Sequence, residues 1–415
     1  MRILALLIAL SVQAADPPQS KITALRGARV YTVTGAPLDG ATVIIENGRI
    51  VAVGKDVVVP ADAVVIDVTG KVLIPGLIDA ASRLFLPPGE RSAGSAEQNV
   101  LDALDVYQRD YREAVEQGVT SVYVGPPSVG TINGLGAVLH LDAAHTILLK
   151  DAALKLTLGA SGGDTSTALE RYQSYPQLKQ AFEGARQYAE SWEKYRKDFA
   201  EFEQKKAKKE EAKEPQKPKV DARNDVLARA LDPKQALRVR IEVHTADAIT
   251  LALRLSDDFK LRAVLEYATE GGAAAAAIAK AKTPVVVGPV FRTGAYSVDY
   301  LNHSVTTASA LVAAGVPTAI GTFGDDRAGQ WGPGASRFLA ESAALAASRG
   351  LTRDQALAAI TIEAATILGI DGTHGSIDKG KVADLVLLSG EPFAAGSLVE
   401  RTWIGGDPVH VRGPR

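Results

Sequence analysis

The sequence predicts an α/β fold, a TIM-type (β/α)8 barrel with a small composite β-sandwich built from both termini. Three observations predict it. Short strands joined by tight turns crowd both ends of the chain. Between them, apolar runs of strand length alternate with helical patterns, as in parallel α/β architectures. The alternation repeats about eight times, the count at which such a sheet closes into a barrel. With 415 residues, the chain is long enough for the large core this requires.

Residues 1–14, MRILALLIALSVQA, read as a secretory signal. Arg2 supplies the positive end, Ile3 to Leu10 the apolar run, and Val12 and Ala14 the small residues of a cleavage site. This predicts a secreted or periplasmic protein. No other segment is apolar over the ~20 residues that a membrane span needs. Residues 21–72 and 371–415 are expected to form the composite sandwich. Thr42-Val43-Ile44-Ile45 and Arg49-Ile50-Val51-Ala52-Val53 flank Asn47-Gly48, a hairpin signal because both turn positions favour positive φ. Residues 73–370 are expected to form the barrel, with strands at Val119–Val124, Ala153–Leu158, Val239–His244, Leu261–Leu265, Pro284–Val287 and Pro317–Ile320. Helices are expected at Gln98–Gln117, Ala246–Leu255, Ala273–Ala281 and Ser304–Ala314. A charged helical insert at 176–237 breaks the rhythm. Its KKAKKEEAKEPQKPK stretch reads as a solvated helix end followed by a mobile linker.

Composition narrows the chemistry. Lys plus Arg total 46 and Asp plus Glu 48, a net charge of −2, so no basic face for nucleic acid is expected. The absence of cysteine removes disulfides, thiolate metal sites and cysteine nucleophiles. A metal site would need carboxylates and the six histidines, His140, His145, His244, His303, His374 and His410. His374 and His410 fall in the terminal region and are expected to be solvated. His140, His145 and His303 match no metal spacing. Gly125 to Gly136 reads as a glycine-rich loop, without the Gly-Lys-Ser/Thr ending of a phosphate loop.

Three stretches carry a family resemblance: Asp39-Gly40 through Gly54, Asp67-Val68-Thr69-Gly70 through Asp79, and Gly375-Ser376-Ile377-Asp378-Lys379-Gly380-Lys381-Val382-Ala383-Asp384-Leu385-Val386. They resemble the opening and closing segments of the amidohydrolase superfamily, within its imidazolonepropionase-related group. The resemblance implies the same barrel and composite sandwich. It also implies metal-assisted hydrolysis of cyclic amides and related C–N bonds, with the ion at the C-terminal ends of the strands.

The positions that the resemblance assigns to this chemistry have changed. Ala81 and Arg83 stand where the family has a His-x-His pair. Tyr267 stands at the sixth-strand histidine and Phe323 at the Asp of Gly-Thr-Asp. Ala160 stands where the group often has Glu. Only His244 remains, and one imidazole does not hold catalytic zinc. No metal cofactor is therefore expected; if one binds, it is a single divalent ion, Zn or Fe.

Three functions stay open. The first is a non-catalytic barrel that binds a small molecule or pairs with an active amidohydrolase relative, as a homo- or hetero-dimer. Arg83, Tyr267 and Trp331 are its candidate ligand-binding residues, Arg83 as an anion clamp and Trp331 as a stacking surface. The second is a hydrolase with a rewired site, with His244, Asp325 and Asp326 as its candidate catalytic residues. The third is a surface interaction protein acting through the 176–237 insert.

Overall fold

Two eight-stranded sheets organise the chain. The computed structural model describes residues 22–87, 94–159, 168–235, 237–290, 302–324 and 333–413. The expected signal segment, residues 1–14, lies outside the described residues. In order, the elements are β1 (Ile22–Val30), β2 (Leu38–Glu46), β3 (Arg49–Gly54), β4 (Val64–Asp67), β5 (Val72–Pro75), β6 (Leu77–Ser82), α1 (Asp110–Glu116), β7 (Val119–Val124), β8 (Ile132–His140) and β9 (Ile147–Thr157). There follow α2 (Ala168–Ala207), α3 (Ala222–Leu231), β10 (Arg238–Val243), α4 (Ala246–Phe259), β11 (Arg262–Tyr267), α5 (Gly271–Ala281), β12 (Val285–Val287), α6 (Thr307–Ala313) and β13 (Thr318–Ile320). The chain closes with α7 (Leu339–Ser348), α8 (Arg353–Ala359), α9 (Ile362–Leu368), β14 (Leu385–Leu388), β15 (Val399–Ile404) and β16 (Asp407–Val411).

The terminal sheet runs β16-β15-β14-β5-β1-β2-β3, with β4 paired to β1. Leu25, Val43, Ile50, Leu73, Leu385 and Trp403 share one buried cluster, so the two halves of the sheet face each other as in a sandwich. The Asn47-Gly48 turn has both φ angles positive, at 49° and 78°. A Cβ on Gly48 would lie 2.7 Å from the Gly405 carbonyl oxygen, so the hairpin turn and the Gly405-Gly406 turn demand glycine where they touch.

The second sheet runs β13-β12-β11-β10-β9-β8-β7-β6. Its ends meet where the Phe323 N–H donates to the Ala81 carbonyl at 2.6 Å, so the sheet closes as a barrel. One strand departs from the all-parallel expectation. β8 runs antiparallel to both neighbours and takes Asn133 to Gly136 out of the expected loop. The physical reason is packing. Tyr123 on β7 is fully buried, and a Cβ on Gly136 would meet its hydroxyl at 2.3 Å. The glycines of this stretch therefore serve close strand approach and not a flexible loop. The expected helix at 98–117 is also shorter. The Asn99 side chain accepts from the Leu101 N–H at 2.9 Å and Asp105 from the Tyr107 N–H at 3.1 Å, so local turns compete with the helix until Asp110.

The insert is a 40-residue helix, α2, followed by an extended return and α3. Leu178 and Phe182 anchor it, Phe182 packing 5.3 Å from Phe259 of α4. Beyond that anchor Lys217 lies 5.9 Å over the Trp192 ring. No helix among the described residues is long and apolar enough to cross a membrane.

Replacing Gly136 with Ala should cost about 1–3 kcal/mol, the usual penalty of overpacking a tight core, read from urea unfolding. A change under ~0.5 kcal/mol, the range of an ordinary surface substitution, would contradict the packing account.

Candidate functional site

The inward-facing residues of β9, β10 and β11 form a buried ionic layer in the barrel. Lys155 and Arg240 are neighbours in the β9–β10 register, and Glu242 and Glu266 are neighbours in the β10–β11 register. Like charges therefore sit side by side and are relieved by crossed pairing. The Lys155 ammonium lies 3.0 Å from Glu242 Oε2 and contacts Glu266. Arg240 Nε reaches Glu266 Oε1 at 2.5 Å, and its Nη2 donates to the Ala80 carbonyl at 2.8 Å. The same guanidinium stacks 3.8 Å above the Tyr123 ring centroid. Ser128 donates to Glu242. Burial pushes the Glu266 carboxyl up, but Lys155 and Arg240 outweigh it and hold Glu266 below the ordinary glutamate value.

Above this layer, at the C-terminal ends of the strands, buried side chains of the described residues pack together. The rings of His244 and Tyr267 lie 4.7 Å apart, and those of Tyr267 and Phe323 lie 4.0 Å apart. Ala81 belongs to the same buried cluster as Tyr267 and Phe323. His244 shares a 2.8 Å hydrogen bond with Thr269 through Nδ1, and its Nε2 lies 3.5 Å from Glu242 Oε1. Among the described residues, a cavity of about 10 Å³ lies between Tyr267, Thr269, Pro289 and His303, room for about one water. Tyr267 and Phe323 both adopt left-handed φ, 63° and 61°, a conformation uncommon for bulky residues. Asp79, within β6, is fully buried. It accepts from the Thr322 N–H at 3.0 Å, the Thr322 hydroxyl at 2.5 Å and the Ser336 hydroxyl at 2.8 Å. Burial nevertheless raises its carboxyl above the ordinary value.

A second group of polar side chains lies at the opposite, N-terminal end of the barrel. His140 pairs with Ser121 at the start of β7, and the Gly76 N–H before β6 donates to the Asp384 carbonyl at 2.8 Å. His140, His374 and Asp384 are all buried and place one ligand atom each within 4.8 Å of one another. This is a group that can hold a metal ion.

Comparison with known proteins fits this architecture. An amidohydrolase family model matches residues 225–410. The imidazolonepropionase of Geobacillus kaustophilus is 26% identical over 85% of this chain and 84% of its own. Imidazolonepropionases of Acinetobacter baumannii reach 51% identity, but over 57 residues, so the match spans 13% of their length. The crystal structure of an amidohydrolase from Thermotoga maritima superposes with a TM-score of 0.78 at 28% identity, covering 94% of this chain and all of that one. The chain belongs to the amidohydrolase superfamily. Within it, the relatives place the chain in the imidazolonepropionase-related group.

In this amidohydrolase the structure brings Ala81, His244, Tyr267 and Phe323 together at one end of the barrel, and Arg83 stands beside them against Gly324. Asp325, Asp326 and Trp331 lie outside the described residues, as does Ala160. Two expectations need correction. His374 is buried, not solvated, because it packs against His140 with ring centroids 5.3 Å apart. The expectation that no metal is held does not fit the His140, His374 and Asp384 group, whose members are too far apart in sequence to show a spacing. The ionic layer was missed as well. Its signal was present, since Lys155, Arg240 and Glu242 punctuate runs that ought to be apolar on both faces in a parallel strand.

Lys155→Met removes the ammonium and keeps the chain length. At neutral pH it should cost about 3–5 kcal/mol, because it leaves buried carboxylates uncompensated. The folded value of Glu266 is depressed, so its stabilising contribution is complete above the unfolded value and lost as pH falls through the folded one. Urea unfolding across pH should therefore show the wild type weakening below the ordinary glutamate range, and the Lys155→Met penalty shrinking in the same window. A penalty independent of pH would contradict this assignment.

Proposed function

We propose that this chain is a non-catalytic amidohydrolase, a binding or partner subunit whose barrel mouth is sealed by packing. The single observation behind this reading is the stack of His244, Tyr267 and Phe323 over the Lys155 ammonium, which bridges Glu242 and Glu266. The positions that metal donors hold in the family carry a methyl group, a guanidinium, a phenol and a phenyl ring. Those groups do not fit a divalent ion held by three protein ligands. Electrostatics supports the same reading. Among the described residues, the two carboxylates Glu242 and Glu266 are matched by two cations, Lys155 and Arg240, and a divalent ion added to that set would bring further positive charge into a buried site. The partner would be a small molecule or an active relative. The signal-like segment at 1–14 supports a mature chain outside the cytoplasm in this reading.

One observation favours a second reading, an active hydrolase with a rewired site. His244 is buried and close to Glu242, an arrangement that can orient an imidazole as a general base. An assay separates the two. The purified chain, with zinc, manganese or iron(II) added, should show no turnover of cyclic amides or dipeptides above buffer. Turnover that His244→Ala abolishes would overturn the non-catalytic reading and support the rewired one.

A further inference from the structure

We propose that His140, His374 and Asp384 form a structural divalent-metal site, suited to zinc, that fastens the terminal sheet to the floor of the barrel. The site is separate from the mouth, at the opposite ends of the strands.

The geometry supports it in three ways. The first is spacing. His140 Nε2 hydrogen-bonds Asp384 Oδ1 at 3.0 Å and Oδ2 at 2.9 Å, a contact that a bound ion would replace, and His374 Nε2 lies 3.8 Å from Asp384 Oδ2. Ligands bound at about 2.0–2.1 Å around a tetrahedral zinc lie about 3.3–3.4 Å from one another, and these distances bracket that value. The second is an orphaned atom. His374 Nδ1 shares a 2.8 Å hydrogen bond with Thr373, while its Nε2 is buried and has no hydrogen-bond partner. A buried imidazole nitrogen left in that state is costly, and a metal would give it a partner. The third is orientation from behind. Asp142 Oδ2 stands 3.6 Å from His140 Nδ1, Thr373 holds His374, and the Gly405 N–H donates to Asp384 Oδ1 at 2.9 Å. Outer partners of this kind fix the rings and carboxylates of metal sites.

Charge is consistent with a dication. Asp142 and Asp384 contribute two negative charges; Arg49 and Lys381 oppose them from nearby, and the Lys381 ammonium donates to the His374 carbonyl at 3.2 Å. Two imidazoles and one carboxylate select zinc or another imidazole-binding transition metal over magnesium or calcium. The three ligands come from both parts of the molecule. His140 ends β8 of the barrel, His374 follows α9, and Asp384 leads into β14 of the terminal sheet. Binding would therefore cross-link the two sheets.

The test uses the full chain, stripped with a chelator and titrated with zinc alone. Wild type should take up one equivalent and melt at a higher temperature with zinc than without. His374→Gln and Asp384→Asn should lose both effects, while His244→Ala keeps them. Cobalt(II) should give tetrahedral-type absorption bands in wild type and none in His374→Gln. Circular dichroism of each variant establishes that it is folded. No zinc uptake by wild type would overturn this site and leave the reading of the mouth standing. Uptake retained by folded His374→Gln would overturn it too. Uptake lost in His244→Ala would overturn this site and the non-catalytic reading together.

Discussion

The barrel depends on the crossed ion pairs among Lys155, Arg240, Glu242 and Glu266. Four charges buried on adjacent strands are tolerable only when every one is matched, because an unpaired charge in the interior costs several kcal/mol. That requirement fixes the relative registers of β9, β10 and β11, since a slip by one residue would send each charged side chain to the opposite face. It also explains neighbours that carry no charge. Tyr123 lies flat under the Arg240 guanidinium, and Gly136 has no side chain because the Tyr123 hydroxyl occupies the space where one would go.

The aromatic packing above the ionic layer strengthens it. Tyr267 and Phe323 exclude solvent, and the Lys155 ammonium stands 5.8 Å from the Tyr267 ring, which adds a cation–π attraction. Their left-handed backbones cost about 1–3 kcal/mol each, strain that the surrounding packing has to offset. Strain of this kind collects at functional sites, and these are the two positions where the family resemblance expects a histidine and an aspartate. The floor of the barrel contrasts with this. There the donor types expected of a metal site converge, although no family correspondence predicts them.

Much of the architecture was legible in the sequence. Val119–Val124 is a strand with those limits, and Asn47-Gly48 is the predicted hairpin turn, because apolar periodicity and turn chemistry act locally. The convergence of Ala81, His244, Tyr267 and Phe323 was legible through ordered motifs. What stayed hidden depends on contacts remote in sequence. Asn133 to Gly136 reads as a loop until Tyr123 is known to press on Gly136. Asn99 and Asp105 shorten a helix through side-chain hydrogen bonds that periodicity does not register. His140 and Asp384 meet only because the two sheets dock. The pairing of Lys155 with Glu242 and Glu266 follows from strand order, although the charged letters in apolar strands announced that some pairing was needed.

Anomalous scattering at the zinc edge from crystals of the zinc-loaded chain distinguishes the mouth of the barrel from its floor, because it locates the ion instead of counting it. No peak is expected beside His244, where Lys155 already supplies the positive charge, and one peak is expected between His140, His374 and Asp384. A peak coordinated by His244 and Glu242 would contradict this expectation, since the barrel interior would then need a metal that its own cations were thought to replace.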